Sequence, residues 1–363
     1  MKFRLHCLGV PHTKTNEDFT ACAYTQKVFK FCKMMTERGH HVIHYGTSGS
    51  TPVCTENVTV LSQKTWDRVY GDVDYKNGFF KYDMRDEAHQ EFYTRAIGAI
   101  MQRKQPNDFV LPFWGLGTKA ICDAHDDLII CEPGIGYPWG IWAPYKIFES
   151  YALYHAYLGL PRVERVGMDF YEVVIPNYFD LKDFEYCEEK EDYMLFVGRV
   201  FDGKGVNIAI DVTSRLGVKL KIAGQCDDFY KNYDWPDHVE YVGYVGVEER
   251  KELMKKAMGS YLPSMYLEPF GGVQVENLLS GTPTITTDWG GFTENNIEGV
   301  TGYRCRTFKD FIEATKKVMN KEIRYSDCRA QGEKFSLEAV APKYEKFFSD
   351  VMNVRTGDGW YQM

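Results

Sequence analysis

Apolar runs of strand length, many of them closed by glycine and separated by helix-sized segments, recur along this chain and restrict its folding more than any other feature. The run FRLHCLGV at 3–10 reads as a buried strand. A loop follows, then a helical stretch from Thr20, read as an N-cap, to Arg38, with Gly39 as its stop. HVIHYGT is the next strand, so the chain opens as strand, helix, strand. DFVLPFWG and DLIICEPG repeat the pattern, and FYEVVIPN closes this first half. After the charged stretch LKDFEYCEEKED a second series begins: YMLFVGRV, helix GVNIAIDVTSRLG, VKLKIAG, HVEYVGYV, helix EERKELMKKAMG, SYLPSM, helix GVQVENLLSG and TPTITTD. Strands alternating with helices at this spacing predict an α/β chain with mainly parallel sheets.

Two Rossmann-like domains follow from that reading, residues 1–178 and 179–336, with a last helix at about 337–363 returning to the first. Ligands of such sheets sit beyond the carboxyl ends of the strands, so two facing domains create one cleft. The 363 residues, 44% of them apolar, are enough for two ordinary cores. No apolar leader opens the sequence, and no window approaches the roughly 18 unbroken apolar residues of a membrane span. A soluble, cytoplasmic protein is expected. The ten cysteines show no CxxC pair and no metal-finger spacing, which predicts reduced, mostly buried thiols. A net charge of −8 argues against general affinity for nucleic acid.

The chemistry concentrates in SMYLEPFGGVQVENLLSGTPTITTDWGG, residues 264–291. Gly271 and Gly272 let backbone N–H groups approach a ligand at a helix N-terminus, where the helix dipole favours an anion by about 0.3–1 kcal/mol at an exposed site. A phosphate suits that position. Glu276 is expected in the first helical turn, able to accept hydrogen bonds from two neighbouring hydroxyls such as those of a ribose. Glu268, on the preceding loop, is placed to meet whatever the phosphate carries. Either glutamate alone reads as a cap or a solvated charge; the pair around a glycine turn reads as a site. In FVGRVFDGKGVN, Arg199 and Lys204 flank a loop after a strand and could neutralise a diphosphate, the alternative being an ordinary charged surface loop. TDWGGFTENN adds a third glycine loop at a strand end.

These blocks carry a resemblance. EPFGGVQVE resembles the E-x7-E signature of retaining glycosyltransferase family four, whose fold is GT-B. FVGRVFDGKG, LKIAGQ, VEYVGYV, SGTPTITTDWGGFTENNIEGVTG and VIPNYFDLKDF resemble further blocks of that family in its usual order, ERGHHVIHYGT its second strand, and FSLEAVAPKYEKFFSDV its closing helix. The likeness is close over most of residues 170–350 and loose before them. It implies that Arg199 and Lys204, following Gly198, stabilise the diphosphate leaving group of a sugar nucleotide. It implies that Glu276 holds the ribose hydroxyls, that Glu268 contacts the donor sugar near its reacting carbon, and that the amides of Phe270, Gly271 and Gly272 hold phosphate or sugar oxygens. Tyr244 is placed near the base. Transfer with retention to a hydroxyl of a saccharide, lipid or other acceptor is the activity implied. The nucleotide sugar is a co-substrate, and no cofactor or metal is called for: the one Asp-x-Asp, at 72–74, stands in an aromatic, charged region without a glycine loop. Three other readings share the pattern: a nucleotide-sugar epimerase, a binding protein that has lost transfer, and a transferase acting on modified bases in nucleic acid.

The first half departs from the family pattern at two places. NEDFTACAY lacks a glycine pair before the first helix, and LIIC ends in Glu132 and Pro133 where a histidine is the rule. Either Glu132 takes over contact with the donor sugar or it is a loop charge. His12, after the first strand, is a candidate for the cleft, against simple exposure. In YPWGIWAPYKIFESYALYHAYLG, aromatic residues from Trp142 onward recur every third position, predicting a winding aromatic helix face that packs into a core. Tyr137, Trp139 and Trp142 could instead stack on an acceptor, and Glu149 and Tyr151 could reach the cleft. The first helix carries Lys27, Lys30 and Lys33 on one side. That face reads as solvated, or as a surface for an anionic membrane or an acidic acceptor, which would make the protein peripheral to a membrane.

Overall fold

The computed structural model describes residues 1–76, 82–160 and 172–357. Seven strands form the first sheet: β1 (Arg4–Leu8), β2 (His41–Thr47), β3 (Glu56–Leu61), β4 (Phe109–Pro112), β5 (Ile129–Ile135), β6 (Tyr145–Phe148) and β7 (Glu172–Val174). Their order is β3-β2-β1-β4-β5-β6-β7, and every neighbouring pair is parallel. Six more, β8 (Met194–Val197), β9 (Leu220–Ala223), β10 (Val239–Gly243), β11 (Gly259–Leu262), β12 (Thr284–Thr287) and β13 (Gly302–Cys305), form a second parallel sheet in the order β10-β9-β8-β11-β12-β13. The central runs are apolar throughout because helices cover both faces, so each residue of β4 and β11 is buried. In both sheets the strand order reverses beside the first strand, between β1 and β4 and between β8 and β11. Loops leaving those strand ends diverge and leave a crevice.

The closing helix, Leu337–Thr356, packs on the first sheet although it follows the second in sequence. Leu337, Val340, Tyr344 and Phe348 join Leu5, Phe31, Phe109 and Ile129 in one core. Its expected last residues, 358–363, lie outside the described residues, as do Phe170 and Tyr171 at the start of the run assigned to β7. Among the described residues no helix is long and apolar enough to cross a membrane. All ten cysteines are free thiols, most of them buried.

Four local expectations are corrected. Thr20 closes a short turn over Glu17–Phe19, and the first helix begins at Ala23 after an extended Cys22 that makes no side-chain cap. The aromatic run after Tyr137 is not one helix: it is a loop, then β6, then a helix over Tyr151–Leu158. Ser150 separates the last two, its hydroxyl accepting the N–H of Leu153 at 3.1 Å, so a cap interrupts the aromatic periodicity. Strand β5 runs through Glu132 and Pro133, because its register shifts there and a bulge tolerates a residue without an N–H.

Fourth, the lysines of the first helix (Ala23–Glu37) are not an exposed face. Lys27 and Lys30 are buried. The Lys27 ammonium donates to the Gly134 carbonyl at 2.8 Å and pairs with Glu149. That of Lys30 stands 4.6 Å from the centre of the Phe179 ring, and Lys33 pairs with Asp180. Lys30 and Lys33 thus meet the connection into the second sheet, and Lys27 the first sheet itself. Neither a solvated face nor a membrane-binding one is formed by these three.

Candidate active site

The β8 and β11 ends supply the first group of side chains. Gly198 follows β8, and Arg199 is exposed beyond it with its guanidinium 5.6 Å from the Phe201 ring centre. Lys204 closes a short helical turn and reaches back to the loop after β11, where its ammonium donates to Glu268 Oε2 at 2.7 Å. The hydroxyl of Ser264 donates to the same oxygen at 2.9 Å. Burial pulls the Lys204 amine down, but Glu268 and the Tyr266 phenol outweigh it and hold the amine above its ordinary range, so it stays charged. A cavity of about 40 Å³ lies between Lys204, Ser264, Glu268, Gly271 and Gly272.

Gly271 has φ +84°, and a Cβ there would stand 2.5 Å from the Phe292 ring. Only glycine makes this turn without strain, and it leaves the first N–H groups of the helix Gly272–Leu279 directed at the cavity. Gly290, φ +64°, lets the third glycine loop touch the Glu268 backbone: a Cβ would meet the Glu268 carbonyl at 2.6 Å. The N–H of Gly291 donates to that carbonyl at 2.8 Å. The Phe270 side chain points away from the cavity into a cluster with Phe179 and Phe335, and Asn295 donates to its carbonyl at 2.7 Å. Phe270 therefore anchors the turn from beneath.

Glu276 is the fifth residue of its helix, in the second turn and not the first, because the helix starts at Gly272. Its carboxylate is 3% exposed; Oε2 lies 3.7 Å from Arg250 Nε and has no hydrogen-bond partner. Buried carboxylate oxygens are nearly always satisfied, and among the described residues the ion pair with Arg250 is the one polar partner of this oxygen. Tyr244, after β10, is half-buried: burial raises its phenol, Arg250 draws it back, and Asp18 from across the cleft pushes it up. Tyr244, Arg250 and Glu276 thus share one corner. Arg250 escaped sequence reading because EERKELMKK looks like any charged helix face.

On the first-sheet side Glu132 is wholly buried and committed. Tyr137 donates its hydroxyl to Oε1 at 2.5 Å, and the N–H groups of Trp142 and Ala143 donate to Oε2 at 3.2 and 3.3 Å. Burial raises its pKa despite these bonds. It is therefore no loop charge, and its bonded partners are protein groups that brace the 137–143 loop. Of the aromatic candidates, Tyr137 and half-buried Trp142 take part in that brace, while Trp139 is 60% exposed. His12 is buried, not exposed: its ring stacks on Tyr82 at 4.8 Å and lies 5.2 Å from Trp114. Burial, then His89, lowers its pKa to about 3, with Asp86 opposing. Glu149 is taken by Lys27.

The two sides touch directly. Ser150 donates its hydroxyl to the Pro269 carbonyl, and Glu294 accepts the N–H groups of Tyr151 at 3.0 Å and Ala152 at 2.7 Å.

Residues 180–335 match the family model for glycosyl transferases group 1. A stretch of 140 residues is 36% identical to glycogen synthase of Mycobacterium tuberculosis, covering 35% of this chain and 34% of that protein. The match thus spans about a third of the relative's length. The solved structure of AviGT4, a glycosyltransferase involved in avilamycin A biosynthesis, is similar with a TM-score of 0.70 at 16% identity, over 96% of this chain and 98% of that one. Anabaena HepE, in complex with UDP and glucose, is similar with a TM-score of 0.68 at 14% identity, over 96% and 99%. Two parallel α/β sheets in these orders, with these likenesses, make the fold GT-B.

Proposed function

We propose that this protein is a retaining glycosyltransferase that moves a sugar from a nucleotide diphosphate sugar to an acceptor hydroxyl on a saccharide, lipid or other glycan acceptor. The observation that carries the reading is the corner where the buried, unpartnered Glu276 Oε2 and the Lys204–Glu268 pair flank the glycine-turn helix. A ribose would supply the hydroxyls Glu276 lacks. The diphosphate would lie on the Gly271 and Gly272 amides between Arg199 and Lys204, and Tyr244 would border the base. Glu268 would face the donor sugar. On this reading residues 1–178 are the acceptor side and 179–336 the donor side.

Charge grows on the departing diphosphate as the glycosidic bond breaks, so cations and amides already aimed at it lower the barrier. Each such donor is worth about 2.7–4 kcal/mol if it acts like one oxyanion-hole group. Glu268 and Ser264 hold the Lys204 ammonium in place before the donor arrives, which removes the cost of orienting it at the moment of reaction. In the front-face route the departing phosphate oxygen takes the proton of the attacking hydroxyl, and no metal is required. A cytoplasmic setting suits a sugar-nucleotide donor.

Calorimetry with a panel of UDP-, GDP-, ADP-, dTDP- and CMP-sugars, with Glu276→Ala as control, tests the site. Micromolar binding by one member, abolished by the substitution, is expected. Absence of binding across the panel would reduce the reading to one of fold.

A further inference from the structure

We propose that Asp86, His89, Trp114 and Tyr82 form an acceptor subsite for a neutral sugar ring, one hydroxyl of which donates a hydrogen bond to His89 Nε2. The proposal rests on the glycosyltransferase reading and specifies its acceptor.

Asp86 caps the helix Glu87–Met101: its Oδ1 accepts the His89 N–H at 2.8 Å and also faces His89 Nδ1 at 2.8 Å. The Tyr70 hydroxyl donates to Asp86 Oδ2. A carboxylate against Nδ1 keeps the proton on that nitrogen, so Nε2 is left with a bare lone pair. His89 is completely buried, and Nε2 has no hydrogen-bond partner. An unmet buried acceptor is costly to a fold. A fold that also spends Asp86 and Tyr70 on orienting this ring has aimed it at something. Burial lowers the imidazole's pKa, with Asp86 opposing, so it acts as a neutral acceptor near pH 7.

The walls specify the guest. The Trp114 ring lies 5.5 Å from His89 and 4.9 Å, edge-on, from Tyr82, which is 49% exposed and marks the side of entry. Flat aromatic faces beside a neutral hydrogen-bond acceptor suit a ring with C–H faces and hydroxyl edges. Among the described residues the charges acting on His89 are Asp86 and Asp83, both negative, which disfavours a phosphate-bearing acceptor. Position agrees: Trp114 and His12 leave β4 and β1, where the first sheet's strand order reverses. Tyr24, 6.4 Å from Trp114, has a phenol raised by burial and by Tyr82 and drawn back by Arg199. The aromatic group therefore adjoins the cation assigned to the donor diphosphate.

The test is direct binding to the full chain, free of donor, with histidine nitrogen NMR and calorimetry as readouts. The probes are methyl glucosides, maltose, cellobiose and, for contrast, glycerol 3-phosphate. A neutral saccharide should bind and shift the His89 Nε2 signal. His89→Phe, which keeps a planar ring and removes the lone pair, should weaken that binding at least tenfold with sugar-nucleotide affinity unchanged. Should His89→Phe not fold, His89→Gln and the NMR shift in the unaltered protein decide. Unchanged saccharide affinity in the variant, no saccharide binding, or binding of glycerol 3-phosphate alone would overturn the proposal. Loss of sugar-nucleotide binding across the donor panel would overturn the transferase reading instead, and leaves this result standing or falling on its own signal.

Discussion

A carboxylate oxygen buried without a partner, as on Glu276, is tolerated only where something else compensates, and Arg250 at 3.7 Å does so in part. Glu276→Ala should therefore abolish or greatly weaken sugar-nucleotide binding while leaving the folded state nearly as stable, since it removes a buried oxygen that no hydrogen bond meets, and with it one long ion pair. Calorimetric titration beside a thermal melt checks both halves; a large drop in melting temperature with intact affinity would make the residue structural. Lys204→Met keeps the alkyl stem and removes the ammonium that Glu268 holds at 2.7 Å. Turnover should fall by about 10²–10³-fold if the ammonium acts as one oxyanion donor. Steady-state rates show this, and a change confined to KM would place the lysine in ground-state binding. Lys204 and Glu268, both picked out in the sequence beside glycine turns, are brought into contact by the fold. The bracing role of Glu132 was not legible there, because nothing in LIICEPG shows that the 142–143 amides fold back onto it.

Turns and helix ends carry the next layer of prediction. Gly271→Ala places a Cβ 2.5 Å from the Phe292 ring on a backbone with φ +84°, whereas a Cβ at Gly272 would meet only Phe179 at an ordinary 3.7 Å. The first substitution should cost about 1–3 kcal/mol and the second far less. Urea unfolding of the two variants side by side decides it, and equal costs would contradict the strained turn. The closing helix is tied down by Glu345, which accepts Arg38 Nε at 3.0 Å and Nη2 at 2.7 Å and faces His40 Nε2 at 3.0 Å. The Arg38 fork holds its carboxyl down at about 2, with burial opposing and His40 helping. The folded value lies below the unfolded one of about 4.3, so the native state binds fewer protons between them. The stabilisation is complete above that upper value and disappears as pH falls toward 2. Glu345→Gln should thus cost on the order of 1 kcal/mol at pH 7 and little at pH 2. Equal losses at both pH values, read from denaturant midpoints, would refute the linkage.

At the scale of the whole molecule, the two sheets are held together partly by polar contacts. Glu294 from the second caps the helix Tyr151–Leu158 attached to the first, and Ser150 bonds to the Pro269 carbonyl within the turn that precedes the cavity-lining glycines. A carboxylate at a helix N-terminus is favourable but screened when exposed. Glu294→Ala should hardly move the melting temperature yet widen the distribution of interdomain distances. Small-angle scattering would register a larger radius of gyration, and an unchanged profile would assign the closure to other contacts.

The alternation of apolar runs with helix-length segments determined by itself that this is a parallel α/β protein in two halves, and the glycine-flanked glutamates and cations marked residues that the fold gathers around one cavity. Those signals are local: side-chain periodicity, positive-φ turns and helix termini act over a few residues and are written in consecutive letters. Only the tertiary structure decided that Lys27 is buried against Gly134 and Lys30 against Phe179, that Glu132 braces a loop, that Arg250 faces Glu276, and that His12, His89 and Trp114 meet. Each of these depends on burial and on partners distant in sequence, and the strand order of a sheet, which brings such partners together, is not encoded in any single stretch of chain.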